Sequence, residues 1–250
     1  MTFAYTPAVQ RLITSFFCVS AALAVGCSKP EPAKDAPSEQ AANDAPAEPA
    51  AKDAAKPEVV AKAPAAPTPA VEAEVGKPAP DFTLTDLSGK EMKLADLRGK
   101  NVVLEWFNPE CPFVVYAHED GPLKAMAKEL GGEDLVWLAI NSGAEGKQGF
   151  GADVNSAARD KWSMGHPILL DPTGEVGRKY GAVKTPQVYL IDAEGTLRYA
   201  GGLDNAPIGK PEAGAAYSNY LDGAVSSLRA SKPIDPSETK PYGCSVKYAS

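Results

Sequence analysis

Polar and apolar residues alternate over residues 81–87, Asp-Phe-Thr-Leu-Thr-Asp-Leu, the period-two pattern of a strand with one covered face. Ser88-Gly89 then turns the chain into residues 91–97, so the pattern predicts an N-terminal hairpin. The alternation stops at residues 100–107, where Val102, Val103 and Leu104 form an unbroken apolar run, as in a strand buried on both faces. Residues 135–140 repeat that pattern. Shorter strands are predicted at 168–170, 187–191 and 196–200, the last two joined across Ala193-Glu194-Gly195. Pro112 suits the first turn of a helix, and long or apolar side chains recur from there to Leu130, with Gly121-Pro122 as the expected break. Further helices are predicted over 154–162, over 175–180 before Gly181, and over 212–230. Strands and helices alternating in this order, closed by a hairpin and a helix, predict an α/β sandwich around a mixed sheet.

The first 74 residues follow different rules. Arg11 precedes an apolar run over 12–25, which at fourteen residues is shorter than the roughly 20 a spanning helix needs and reads as the core of a signal peptide, residues 1–26. Leu23-Ala24-Val25-Gly26-Cys27 resembles a bacterial lipobox, which implies cleavage before Cys27 and acylation of its sulfur. The acyl chains would hold the protein on a membrane at about 0.8 kcal/mol per buried methylene. Ser28 rather than Asp after the cysteine implies the outer membrane, with the domain facing the periplasm or the cell exterior. In residues 28–74, 16 of 47 are Ala and 9 are Pro, and no aromatic residue, Leu, Ile or Met occurs. Such a chain has too little apolar surface to offset the entropy of folding, so residues 27–74 read as a lipid-anchored linker. Residues 75–250 are left as one domain with a C-terminal tail.

A net charge of −7 without clustered Lys and Arg excludes a nucleic-acid partner. Of four cysteines, Cys18 falls in the signal segment and Cys27 in the lipobox, leaving Cys111 and Cys244 as a pair in an oxidising compartment. Cys111 follows a buried strand and directly precedes the helix-starting Pro112. Unpaired N–H groups and the helix dipole there favour a thiolate, a nucleophile at neutral pH. Cys244 lies in Pro241-Tyr-Gly-Cys-Ser, an extended or turned segment rather than a packed element, so its thiol would approach Cys111 after a first chemical step and then withdraw.

The order of strand, Trp106-Phe-Asn-Pro-Glu-Cys-Pro-Phe-Val, helix and then Lys184-Thr-Pro-Gln-Val-Tyr-Leu resembles the thioredoxin superfamily. It is most similar to the redoxin or peroxiredoxin-like branch, the alkyl hydroperoxide reductase and thiol-specific antioxidant group, which also shares the opening Gly76-Lys-Pro-Ala-Pro-Asp-Phe. The resemblance implies a thioredoxin-like sandwich extended by an N-terminal hairpin. It places Cys111 as the attacking cysteine, Thr185-Pro186 as a cis-proline turn beside it, and Glu105 as the buried acid. It implies no cofactor, a peroxide or protein disulfide as substrate, and an external dithiol protein as reductant. Two departures stand out: Val114 occupies the place of the second thioredoxin cysteine, and Leu104 and Asn108 stand where typical peroxiredoxins carry Pro and Thr. Asn108 offers a side-chain hydrogen bond to an oxygen substrate in place of that Thr.

Each residue also has a plainer role. Cys111 and Cys244 could form a permanent disulfide in a non-catalytic binding module, closing a loop that stabilises the fold by about 4–5 kcal/mol. Cys111 with His118 and either His166 or Met164 could hold copper, although both histidines are expected to be partly exposed or in a loop. Glu105 could simply reach solvent at a strand end; buried, its carboxyl would be pushed up by desolvation and could relay a proton to a reacting sulfur.

Overall fold

The computed structural model describes residues 72–250, so the signal segment, Cys27 and nearly all of the Ala/Pro-rich linker lie outside the described residues. Seven strands form one mixed sheet in the order β2-β1-β5-β4-β3-β7-β8. Its centre is β3 (Asn101–Trp106), parallel to β4 (Leu135–Asn141) and antiparallel to β7 (Gln187–Ile191). The apolar run explains that position, because side chains on both faces of β3 need cover. Val102, Leu104 and Trp106 pack with Tyr180, Tyr189 and Ile191 on one face. Val103 packs with Val188, Leu190, Tyr199 and Leu221 on the other. Each fully buried Val or Leu contributes about 1.5–3 kcal/mol, which makes this strand the anchor from which the site projects.

The N-terminal hairpin is present as β1 (Thr83–Asp86) and β2 (Glu91–Lys93). It is continuous with the main sheet, since β1 pairs antiparallel with β5 (Ile168–Leu170). The predicted second strand ends early: after Lys93 the chain enters a 3-10 turn, Leu94–Leu97, that buries Leu94 in the core. The break expected at Gly121-Pro122 divides α1 (Pro112–Glu119) from α2 (Leu123–Leu130). Then follow α3 (Ala152–Lys161), α4 (Glu175–Lys179), the two-residue strand β6 (Lys184–Thr185), β7 and β8 (Leu197–Gly201).

The last predicted helix is too long at its start. Helix α5 spans Tyr220–Arg229 and begins at Asn219, whose side-chain oxygen accepts the Asp222 N–H at 3.1 Å. Residues 212–219 are alanine-rich but present no apolar stripe to the sheet, and Gly214 adopts a left-handed φ of 84°. The stripe of Leu221, Ala224 and Val225 starts only after the cap. The tail corrects a second expectation. Cys244–Ser245 form a strand, β9, antiparallel to β6, with Cys244 opposite Thr185.

Candidate functional site

Cys111 is the N-cap residue of α1, with an extended φ/ψ of −80° and 121°, and Pro112 occupies the first helical turn. Its carbonyl accepts the Val115 N–H at 2.9 Å. The whole residue is 0% exposed. On its far side lies the bend at Thr185-Pro186, whose peptide bond is cis. The Cys111 sulfur donates to the Thr185 carbonyl at 3.1 Å and lies 2.6 Å from the Cys244 sulfur; both thiols are free. A disulfide, at about 2.05 Å between sulfurs, needs well under an ångström of further approach.

The tail holds Cys244 in this place from both sides. Upstream, the Tyr242 hydroxyl donates to the buried Asp204 carboxylate at 2.6 Å, and the Tyr242 ring packs near Phe113 of α1. Gly243 has φ 113°, and a Cβ there would lie 2.1 Å from the Thr185 carbonyl oxygen, so only glycine lets the tail reach β6 this closely. Downstream, the Val246 N–H donates to Val183 O at 3.2 Å and the Ala144 N–H to Lys247 O at 2.8 Å. Tyr248 donates to Ala182 O at 2.7 Å while its ring lies 4.5 Å from the Arg178 guanidinium carbon. The tail, which its Pro and Gly predict to be an unpacked segment, is therefore docked along its length. Short strands such as β6 and β9 carry no periodicity, and the usable signal was the Gly-Cys pair itself.

The two sulfurs are electrostatically unequal. Burial pushes the Cys111 thiol up, but the polar groups packed around the sulfur, the Cys244 thiol first and then the Thr185 side chain and the Val114 N–H, more than offset this and hold it below its ordinary value. The buried Thr185 hydroxyl has no hydrogen-bond partner among the described residues, which leaves its proton available to a charge developing on the sulfur. Cys244 moves the other way, to about 11, through burial and its role as donor to Cys111, with Lys247 and Lys184 acting weakly against that. Proton loss from the pair thus falls on Cys111.

Glu105 does not reach solvent. It is 0% exposed, with one carboxylate oxygen 2.8 Å from His118 Nε2 and the other accepting the Trp137 indole N–H at 3.1 Å. Desolvation raises its pKa, as expected, but the His118 charge and hydrogen bond, His166 and Trp137 together prevail, and the carboxyl sits below its ordinary value. His118 is likewise buried, stacked on Trp162 with ring centroids 4.9 Å apart, rather than partly exposed. No hydrogen bond among the described residues links Glu105 to Cys111. With Nε2 committed to Glu105, His118 does not form the proposed copper set, and the described residues contain no group of three His, Cys, Asp or Glu side chains arranged for a metal. His166 packs against Trp137, and burial pushes it down to about 4; its Nε2 has no partner among the described residues.

Asn108 is close to Cys111 in the chain, and its carbonyl accepts the Cys111 N–H at 3.1 Å. Its side chain, however, is turned to the backbone. The amide oxygen accepts the Glu110 N–H at 3.0 Å, and the amide nitrogen donates to Gln148 O at 3.4 Å. A Cβ on Gly149 would overlap the Asn108 amide, so this asparagine serves to clamp the 148–149 loop over the turn before α1. The same loop is held from behind by Asn141 and Asn155, both of which donate to Gly149 O.

A cysteine at the start of a helix that follows a central strand, facing a cis-proline bend, is the arrangement of a thioredoxin-like redoxin. The pattern of the AhpC/TSA family matches residues 75–200, and the chain belongs to that family. The match includes Cys111 and the Thr185-Pro186 bend but stops well short of Cys244. Among known relatives, the thiol-disulfide oxidoreductase ResA of Bacillus cereus (strain ATCC 10987 / NRS 248) is 31% identical over 128 residues, covering 50% of this chain and 67% of that protein. Peroxiredoxin-2 of Cricetulus griseus is 32% identical over 159 residues, covering 55% and 73%. A crystal structure described as the hypothetical protein SMc02350 of Sinorhizobium meliloti 1021 superposes with a TM-score of 0.62 at 29% identity, covering 71% of this chain and 96% of that one. An uncharacterized conserved protein of Geobacillus kaustophilus gives 0.63 at 26% identity, covering 70% and 93%.

Proposed function

We propose that this protein is a thiol oxidoreductase whose working couple is Cys111 and Cys244. The observation that carries the reading is the 2.6 Å approach of two free sulfurs 133 residues apart, one at a helix start and the other opposite the cis-proline bend. Cys111, as thiolate, attacks an electrophile, either a peroxide oxygen or one sulfur of a disulfide, and becomes a sulfenic acid or a mixed disulfide. Cys244 then attacks the Cys111 sulfur, expelling water or the substrate thiol and closing an internal disulfide. An external dithiol protein returns the pair to the reduced state. The similarity to a thiol-disulfide oxidoreductase and to a peroxiredoxin supports thiol redox chemistry without choosing the electrophile.

Stopped-flow consumption of hydrogen peroxide and of a low-molecular-weight disulfide, with mass spectrometry of the products, tests the cycle. The parent protein is expected to consume one equivalent of oxidant as its two thiols become the Cys111–Cys244 bond. Cys244→Ser should halt after one turnover at the Cys111 sulfenic acid or mixed disulfide, and Cys111→Ser should react at the background rate. Full activity in Cys111→Ser overturns the proposal.

The complete burial of Cys111 under the tail also suits a second reading, a non-catalytic redoxin module with a structural disulfide. A reduction potential below about −300 mV for the pair would favour that reading, and a higher value the catalytic one. The same proposal extends to the anchor: Cys27 carries the lipid, the linker spans from the outer membrane, and the domain works in the periplasm or at the cell exterior. Among the described residues no helix is long and apolar enough to cross a membrane. Cys27→Ser should move the protein from the membrane fraction to the soluble one.

A further inference from the structure

Resting on the cycle above, we infer that the reductant enters at Cys244 and not at Cys111. The attacking thiolate would form its mixed disulfide with the tail cysteine, and Cys111 would be the leaving group.

Three observations lead there. The first is access: Cys111 is 0% exposed, whereas Cys244 is only partly buried. Because the tail is tied down on both sides of Cys244, by Tyr242 to Asp204 and by Lys247 and Tyr248 to Ala144 and Ala182, an incoming sulfur meets Cys244 without moving the tail. Reaching Cys111 would require breaking those bonds. The second is the leaving group. Thiol-disulfide exchange is faster when the departing sulfur is the more stable thiolate, and Cys111 has the helix start and the unpartnered Thr185 hydroxyl to receive its charge. Cys244 has no comparable set of donors, and its thiol holds its proton more tightly. The third is the surface around the entry point. Val183, 55% exposed, sits on the β6 side of the tail, and Lys184 and Lys247 flank Cys244 closely enough to act on its charge. That combination fits a dithiol protein whose reactive thiolate is surrounded by apolar and acidic groups.

The electron balance is complete. The partner's thiolate attacks the Cys244 sulfur; the new partner–Cys244 bond forms as the Cys111–Cys244 bond breaks, and its electron pair leaves on Cys111 as thiolate. The partner's second thiolate attacks the partner sulfur of the mixed disulfide, closes the partner's own disulfide, and releases Cys244, which takes a proton from solvent. Two electrons pass from the partner's dithiol to the Cys111–Cys244 pair.

The test uses the full chain, oxidised with diamide and mixed with substoichiometric glutathione. Samples are quenched in acid at several times, alkylated and mapped by mass spectrometry. The expected result is glutathione on Cys244 and the alkyl group on Cys111, in at least tenfold excess over the reverse arrangement at the earliest times. Glutathione on Cys111, or an even division, overturns the inference while leaving the cycle intact. Failure to form any Cys111–Cys244 disulfide overturns the cycle, and this inference with it. The surface is tested separately with the double variant Lys184→Glu/Lys247→Glu at low salt. Reduction by anionic glutathione should slow at least fivefold and reduction by cationic cysteamine should not; equal slowing of both removes the two lysines from the entry surface.

Discussion

Helix α1 carries a close pair of side chains toward each end, and the two pairs behave oppositely. Glu105 and His118 meet at 2.8 Å, both buried, with Trp137 donating to the second carboxylate oxygen and Trp162 stacked on the imidazole. Cys111 and Cys244 meet at 2.6 Å, with one residue buried and the other partly buried. In the first pair both carboxylate oxygens and the facing imidazole nitrogen are engaged, so the groups hold each other and have nowhere to react. In the second, the groups are weak donors and acceptors, the Thr185 hydroxyl is held in reserve, and the partner arrives on a separate segment. Satisfaction of the polar groups marks the structural end of the helix, and incomplete satisfaction marks the chemical end.

Removing one member of each pair sharpens this contrast most. His118→Leu leaves a buried carboxylate oxygen without its hydrogen-bond partner and is expected to cost about 3 kcal/mol of unfolding free energy. Cys111→Ala removes one sulfur of small volume and should cost less than half of that while abolishing turnover. Urea titration of both variants checks the difference. An equal loss of stability would mean that the sulfur pair is as structural as the Glu105–His118 pair.

Acid should act on the Glu105–His118 end of the helix before the sulfur end. His166 is pushed from 6.5 to about 4 by burial, so the unfolded chain binds a proton that the folded chain refuses. Stability is therefore full above pH 6.5 and is lost as pH falls toward 4, by about 3 kcal/mol over the interval. Glu105 adds a loss in the same direction below pH 4.5, since its folded carboxyl is held under the unfolded value. Denaturation at pH 7, 6, 5 and 4 should show the decline, and His166→Gln should flatten the part above pH 4.5. A decline unchanged by that substitution would assign it to other groups.

How far these features could be read from the chain depends on their range. Strand β3 is declared by Val102-Val103-Leu104, and the break between α1 and α2 by Gly121-Pro122, because both are local backbone or burial preferences. The candidate cysteine was readable for the same reason, being placed by Pro112. Glu105 was visible as a position but not as a partner: His118 meets it only because α1 folds back over β3. The β6–β9 pairing joins residues about sixty positions apart, each strand two residues long, and neither shows a pattern. Residues 212–219 misled in the opposite way, because alanine favours a helix but gives that helix nothing to bury.

The tail offers the finest adjustment, because its anchors can be loosened one at a time without touching either sulfur. The Tyr248 ring covers Gly174 and Gly177 so closely that a Cβ at either would strike it, and its hydroxyl reaches Ala182 O. Tyr248→Ala removes that hydrogen bond and the contact with Arg178, a loss of about 1–2 kcal/mol in docking of the tail. An energy of that size raises the population of the undocked tail by about 5–30-fold. Iodoacetamide should then alkylate Cys111 faster by the same factor, while global stability falls only slightly and the Glu105–His118 end keeps its acid profile. Because Cys111 has no surface of its own, its alkylation reports tail opening directly. An unchanged rate would show that small reagents reach the sulfur by a path that does not involve the tail, and access would no longer separate Cys111 from Cys244.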